Sequence, residues 1–144
     1  MPLLEQGEPI ADSWIAIDDS TPLPAGQGVI SLARFLADRP NGPVGVRIGA
    51  ATTPEQLAEV AARAAMVVIE FPGTKDGRGF TLARRLRERY GFSGEIRAAG
   101  HILPDNYVFM SRCGFTTAAV PEGTDLRPWK QALTRFPKVY QLSA

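Results

Sequence analysis

Two stretches of this chain place charged groups, glycines and an imidazole where they could act on a ligand. The first is Gly73-Thr74-Lys75-Asp76-Gly77-Arg78-Gly79, between the apolar run Met66–Phe71 and an amphipathic stretch starting near Phe80. Gly77 and Gly79 let a backbone approach a ligand closely. The free amides of a following first helical turn favour an anion. Lys75 and Arg78 add positive charge, and a guanidinium can grip a carboxylate, sulfate or phosphate with two parallel bonds. The order is not that of a P-loop, because the lysine precedes the glycine pair, and the dinucleotide fingerprint G-x-G-x-x-G fails. The other reading is a tight strand-to-helix turn in which Asp76 bonds locally to the backbone. Both readings stay open, with Lys75, Asp76, Gly77, Arg78, Gly79 and Arg97 as the candidate ligand-binding residues.

The second stretch is Arg97-Ala98-Ala99-Gly100-His101-Ile102-Leu103-Pro104-Asp105. His101 is the side chain here whose ordinary pKa lies near neutrality, so it is the candidate general acid or base. Asp105 can orient it, or can simply favour a helix N-terminus. Arg97 falls inside a strand pattern. It needs a carboxylate such as Asp76, Glu70 or Glu95, or a place at the ligand edge, because a buried, unpaired guanidinium is very costly. Cys113 closes an apolar helical stretch, where the partial negative charge of the helix end disfavours a thiolate, and reads as a buried, inert thiol. The run Arg84-Arg85-Leu86-Arg87-Glu88-Arg89 reads as a solvated helix face, with a partner-docking patch as the second reading.

These residues need elements to position them. Trp14–Ile17, Val44–Ile48, Met66–Phe71, Glu95–Ala99 and Phe115–Val120 read as strands, and Val29–Asp38 as a strand-to-helix or helical segment. Thr53-Pro54-Glu55-Gln56 opens a helix with a capping box and proline at the first position. Further helices run from Phe80 to Tyr90, from Pro104 to Gly114, and from Thr124 or Asp125 through Phe136. Gly91 and Gly114 are left-handed caps, with Phe92 and Phe115 packing back. Met66–Phe71 is nearly continuous in apolar character, which predicts a central parallel strand covered on both faces, between the strands beginning near Val44 and Glu95.

The expected fold is α/β, with residues 1–12 as an N-terminal tail and residues 13–144 as one domain of about five βα units. An open parallel sheet of flavodoxin-like type is expected, with half of a (β/α)8 barrel as the alternative. In both, a ligand binds at the carboxyl ends of the strands, so Arg78 and His101 should be neighbours.

Composition narrows the classes. The chain has 144 residues, 44% hydrophobic and 22% charged, with a formal net charge of +1. That charge gives no field to hold a nucleic acid or an anionic membrane. One cysteine and one histidine do not make a disulfide, a redox pair or a zinc site. No flavin or nicotinamide motif is present, so neither metal nor cofactor is expected. The start of the chain lacks a basic leader and no apolar run approaches a membrane span, so a cytoplasmic protein is expected.

The segments Phe71-Pro72, Asp76-Gly77-Arg78-Gly79-Phe80-Thr81, Leu86-Arg87-Glu88-Arg89-Tyr90-Gly91-Phe92, Gly94-Glu95-Ile96-Arg97-Ala98 and Arg112-Cys113-Gly114-Phe115 together resemble the bacterial domain-of-unknown-function family 934. Asp12-Ser13-Trp14, Leu23-Pro24, Leu32-Ala33-Arg34-Phe35 and Tyr140-Gln141 resemble its outer segments. Genes of that family lie beside those for the sirohaem sulfite reductase and the phosphoadenylyl-sulfate reductase. The resemblance therefore implies a role in assimilatory sulfate and sulfite reduction, with one of these reductases as partner. Asp76, Gly77, Arg78, Gly79, Arg97, Gly100, Asp105, Arg112 and Cys113 stand at family motif positions. The family has an acidic residue where His101 stands and a basic one at Pro104. It has glutamine at Asn106, aspartate at Thr116 and an aromatic residue at Thr74. These departures cluster on the ligand edge and mark a divergent member. Three roles follow: an accessory protein binding a reductase or a small oxyanion, a small oxidoreductase-type enzyme of sulfur assimilation, or a non-catalytic interaction module.

Overall fold

The chain begins with a hairpin rather than a tail. Leu3–Glu5 (β1) and Glu8–Ile10 (β2) pair antiparallel, Leu3 opposite Ile10 and Glu5 opposite Glu8. The two-residue loop Gln6-Gly7 has positive φ at both positions, 52° and 81°, the turn whose twist matches that of a hairpin. Leu3 and Leu4 are buried. The Gly7 amide donates to the Tyr107 hydroxyl at 2.8 Å, and Lys130 pairs with Glu8 at 2.7 Å. Reading residues 1–12 as a tail is thus corrected. The segment is too short to show a periodicity, and its partners beyond the hairpin lie a hundred residues or more away.

The computed structural model describes residues 2–23, 27–40, 42–73 and 77–135. Ile15–Ala16 (β3) is followed by Gly28–Ser31 (β4) and the helix Leu32–Asp38 (α1). Gly45–Ile48 (β5) leads to Pro54–Arg63 (α2), and Met66–Phe71 (β6) to Arg78–Glu88 (α3). Glu95–Gly100 (β7) leads through a 3-10 turn at Pro104–Asn106 to Tyr107–Cys113 (α4), and Thr117–Ala119 (β8) to Arg127–Arg135 (α5). Local signals fix several boundaries. Thr53 and Gln56 form the capping box reciprocally, Gly114 closes α4 at φ 112°, and the Asp125 carboxylate accepts the Arg127 amide at the start of α5. Phe136 lies outside the described residues.

The eight strands lie in the order β2-β1-β8-β7-β6-β5-β4-β3. From β3 to β8 every neighbouring pair is parallel and sequential, while β1 joins β8 antiparallel. Strand β6 lies between β5 and β7, as its apolar run predicts. The order never reverses, so the doubly wound flavodoxin-like arrangement is corrected in favour of the half-barrel alternative. Local periodicity cannot separate the two, because each consists of the same βα pattern and they differ only in which edge the next strand joins. With right-handed crossovers a sequential order keeps all helices on one face. Core residues of all five helices accordingly share one cluster with Ile30, Val46, Val67, Ile69, Ile96 and Ala98 from alternate strand positions.

The other face carries Val29, Met66 and Val68, packed under Trp14 and beside Ala99. The chain itself covers it. β2 and β3 are opposite edges of the sheet, yet only residues 11–14 join them. Seven inter-strand gaps of ~4.8 Å would put the edges of a flat sheet about 34 Å apart. Five residue steps of extended chain reach at most about 18 Å. The sheet must curl, and the link crosses its mouth as a strap. Gly45 makes room beneath: a Cβ there would meet Val29 at 3.0 Å, Met66 at 3.1 Å and Trp14 at 3.5 Å. The concave cover over β6 is this strap, not a second helix layer.

The hairpin offers a direct stability test. Leu4 is fully buried, so Leu4→Ala should lower the unfolding free energy by about 2–5 kcal/mol. Urea titration of wild type and variant measures it, and an unchanged midpoint would restore the tail.

Candidate functional site

Strands β6 and β7 stay in register to their last residues, Phe71 opposite Gly100. The His101 amide then donates to the Phe71 carbonyl at 2.8 Å. Gly100 stands at φ 88°, and a Cβ there would sit 2.5 Å from that carbonyl oxygen, so no other residue fits without a shift of backbone. This contact brings the start of the loop towards α3 and the start of the loop towards α4 side by side. His101 is exposed, and so is Arg78 at the first position of α3. Gly77 caps that helix without a side-chain bond, and a Cβ there would meet only the Phe80 ring, at 4.0 Å. Lys75 and Asp76, with Thr74, lie outside the described residues.

Gly79 has a use in packing. A Cβ on Gly79 would meet the Phe71 ring at 2.5 and 2.6 Å and Ile69 at 3.1 Å. Its missing side chain is the space in which α3 seats on β6. Asp105 is exposed, in the 3-10 turn. No hydrogen bond or ion pair joins it to His101, so the geometry does not assemble an acid–base pair from these two. Among the described residues no group of three or more metal-ligating side chains gathers.

Arg97 stands away from this rim. It points to the concave face at the level of Val68 and Thr117, three residues before the end of β7, which is roughly 10 Å along a strand. It is 6% exposed. Its Nε and Nη2 donate to Glu95 at 3.1 and 2.9 Å, and its Nη1 donates to Asp12 at 3.0 Å. Glu95 also accepts from the Thr117 hydroxyl at 2.8 Å. The other Asp12 oxygen accepts the Trp14 amide at 3.0 Å. Expecting a carboxylate partner for Arg97 was sound, and Glu95 was among those named. Asp12 was not, since nothing local links residues 85 positions apart. With all three donor nitrogens committed, Arg97 ties the strap to the sheet.

Arg87 departs from the reading of its run as a solvated face. It is half-buried and makes five hydrogen bonds, to the carbonyls of Phe92, Gly94 and, twice, Gly114, and to the Thr116 hydroxyl. It thereby pins the end of α3 to the entries of β7 and β8. Burial pushes its pKa down, but an arginine starting so high stays charged.

Cys113 is buried, as expected from its place on α4. Burial pushes the thiol pKa up, and the Arg84 guanidinium, 3.7 Å from Sγ, opposes this only in part. Arg84 also lies 6.0 Å from the centre of the Phe109 ring, which meets Phe80 edge-on at 4.9 Å. These three residues belong to a groove between α3 and α4. Its signal in the sequence is Phe109, an aromatic on the polar side of an otherwise buried helical stripe.

The family model for bacterial proteins of unknown function DUF934 matches residues 45–144, more than half of the chain. The chain belongs to this family. The match begins at the first residue of β5 and takes in β6, α3, β7 and α4, the elements that build the rim. The strap and the segments around Asp12–Trp14 and Leu32–Phe35 lie before the matched stretch. No curated protein and no solved structure matches the chain.

Two measurements follow. Glu95→Ala strips Arg97 of two hydrogen bonds at a largely buried site and should cost about 2–4 kcal/mol. Asp12→Ala should cost less, because Glu95 remains. Denaturant titration of both variants decides, and a larger loss from Asp12→Ala would reverse the assignment. Cys113, with its raised pKa, should hold less thiolate at neutral pH than a free cysteine. A chromogenic disulfide reagent should therefore label it slowly in native protein and promptly in denaturant.

Proposed function

We propose that this protein is a cytoplasmic accessory protein of assimilatory sulfate and sulfite reduction. In this reading it holds a small oxyanion at the rim formed by the end of β6, the start of α3 and the end of β7. It works beside a sulfite reductase or a phosphoadenylyl-sulfate reductase rather than catalysing a step itself. The observation that carries the binding site is the matched ending of β6 and β7, with His101 bonded back to Phe71. That juxtaposition sets an exposed arginine, a helix start whose cap residue is a glycine and an imidazole on one edge. Free amides at a helix start attract negative charge, and the planar fork of Arg78 suits sulfate, sulfite or phosphate. The sulfur context comes from the family resemblance.

The accessory reading is preferred to an enzymatic one on two grounds. His101 and Asp105 do not form a bonded pair, and a single buried thiol cannot cycle as a dithiol. A partner reductase would supply the electrons.

Calorimetric titration of wild type and Arg78→Ala with sulfite, sulfate and phosphate tests the site. Wild type should bind at least one of them. Arg78→Ala should lose about 1.5–3 kcal/mol of binding, the worth of a hydrogen bond to a charged group, with an unchanged melting temperature. Absence of binding in wild type, together with a lower melting temperature for Arg78→Ala, would make Arg78 a support of its own loop and overturn the reading.

A further inference from the structure

The outer surface of the helix layer carries a feature that the rim does not use. Helices α3 and α4 leave an open groove of about 670 Å³ between them. Phe80, Phe109 and Cys113 give it an apolar floor, and Arg84, Arg85 and Arg89 stand along it. Phe109 is 46% exposed, although Tyr107, Val108, Met110 and Cys113 on the same helix are buried. Its ring is held in place by the edge contact with Phe80 and by Arg84 above it. The fold gains little from an aromatic ring so placed, whereas a bound apolar side chain would gain a preformed seat.

Charge selects the occupant. The three arginines face one lining carboxylate, Glu88, so the groove carries a formal +2 (3 − 1). Glu88 lies 3.9 Å from Arg84, which leaves Arg85 and Arg89 as the positive flank. They are four residues apart, one turn of α3, and would meet two carboxylates placed one turn apart on an incoming helix. The groove runs beside the eleven residues of α3, about 16 Å, which matches some three turns of helix. A nucleic acid is the poorer fit, because the chain as a whole carries only +1 and lacks the field that would hold a polyanion.

We propose that the α3–α4 groove docks an acidic, amphipathic helix of a partner protein. An aliphatic or aromatic anchor of that helix packs on Phe80 and Phe109, and its carboxylates meet Arg85 and Arg89. The inference goes beyond the oxyanion reading and does not need it, since Arg78 is not part of the groove lining.

A fluorescein-labelled synthetic peptide of three helical turns, with leucine on one face and glutamate on the other, provides the probe. Its controls are a scrambled peptide of the same composition, a peptide with lysine for every glutamate, and a single-stranded oligonucleotide. Fluorescence anisotropy with wild type should show saturable binding of the acidic amphipathic peptide, weakened by added salt. Phe109→Ala and the double variant Arg85→Glu/Arg89→Glu should each bind roughly tenfold or more weakly, with melting curves confirming that both are folded. Arg78→Ala should bind as wild type does, so that failure here and failure of the oxyanion site are told apart. Equal binding of the scrambled peptide, tighter binding of the oligonucleotide, or no saturation up to roughly millimolar peptide would overturn the proposal. So would unchanged binding in folded Phe109→Ala.

Discussion

The short link between Ile10 and Ile15 is the constraint on which the rest of this structure depends. It joins the two edges of an eight-stranded sheet, and four residues cannot do so unless the sheet curls until its edges face each other across a narrow mouth. The curl decides where everything else goes. Helices occupy the convex side, where a sequential strand order delivers them. The concave side is left to side chains too few and too mixed to form a second full core. Val29, Met66 and Val68 would face water there without Trp14. The strap is therefore both a consequence of the topology and a condition for it.

Holding such a strap takes more than one tryptophan, and the Asp12–Arg97–Glu95 arrangement supplies the rest. A guanidinium at the foot of a curled sheet loses most of its hydration, and only closely placed carboxylates offset that loss. Here there are two, one from the strap and one from the same strand as the arginine. Thr117 on the neighbouring strand bonds to the second. Net charge on the trio is −1, so this face has no excess positive charge to offer an anion. On this face the buried guanidinium is therefore satisfied from within the protein.

Much of this was legible in the sequence because it is local. The strands at Val44–Ile48, Met66–Phe71 and Glu95–Ala99 follow from runs of β-branched and apolar residues between turn signals. The capping box at Thr53 and Gln56 and the glycine closing α4 follow from residue types at fixed offsets. What was not legible is set by distant pairing. The strand order turns on whether the first parallel strands, β3 and β4, lie in sequence at one edge or astride a reversal, and no residue within either records that choice. The hairpin at Leu3–Ile10 is too short to declare a period, although its Gln6-Gly7 loop has the length of a tight hairpin turn. The candidate site was half legible for the same reason. Proximity of His101 to the β6 exit follows from parallel neighbours ending together. The packing of Gly79 on Phe71 and the bond of Arg97 to Asp12 arise only in three dimensions.

The same glycine or arginine can serve a ligand or the fold, and the space around it decides which. Gly79 has Phe71 where its side chain would be, whereas a side chain at Gly77 would only touch the Phe80 ring at 4.0 Å. Arg87 and Arg97 spend their donors on named oxygens inside the protein, so removing them would leave buried acceptors without partners. Arg85 and Arg89 face outward, and no fold element depends on them in that way. A helix face serving only solubility would interleave its signs, since opposite charges four residues apart stabilise it. On α3 only the Arg84–Glu88 spacing follows that rule, and Arg85–Arg89 is a like-charge pair at the same spacing, which weakens an isolated helix. The fold keeps that small penalty beside an exposed aromatic ring, and both would be relieved by the same event, the arrival of an apolar side chain flanked by negative charge.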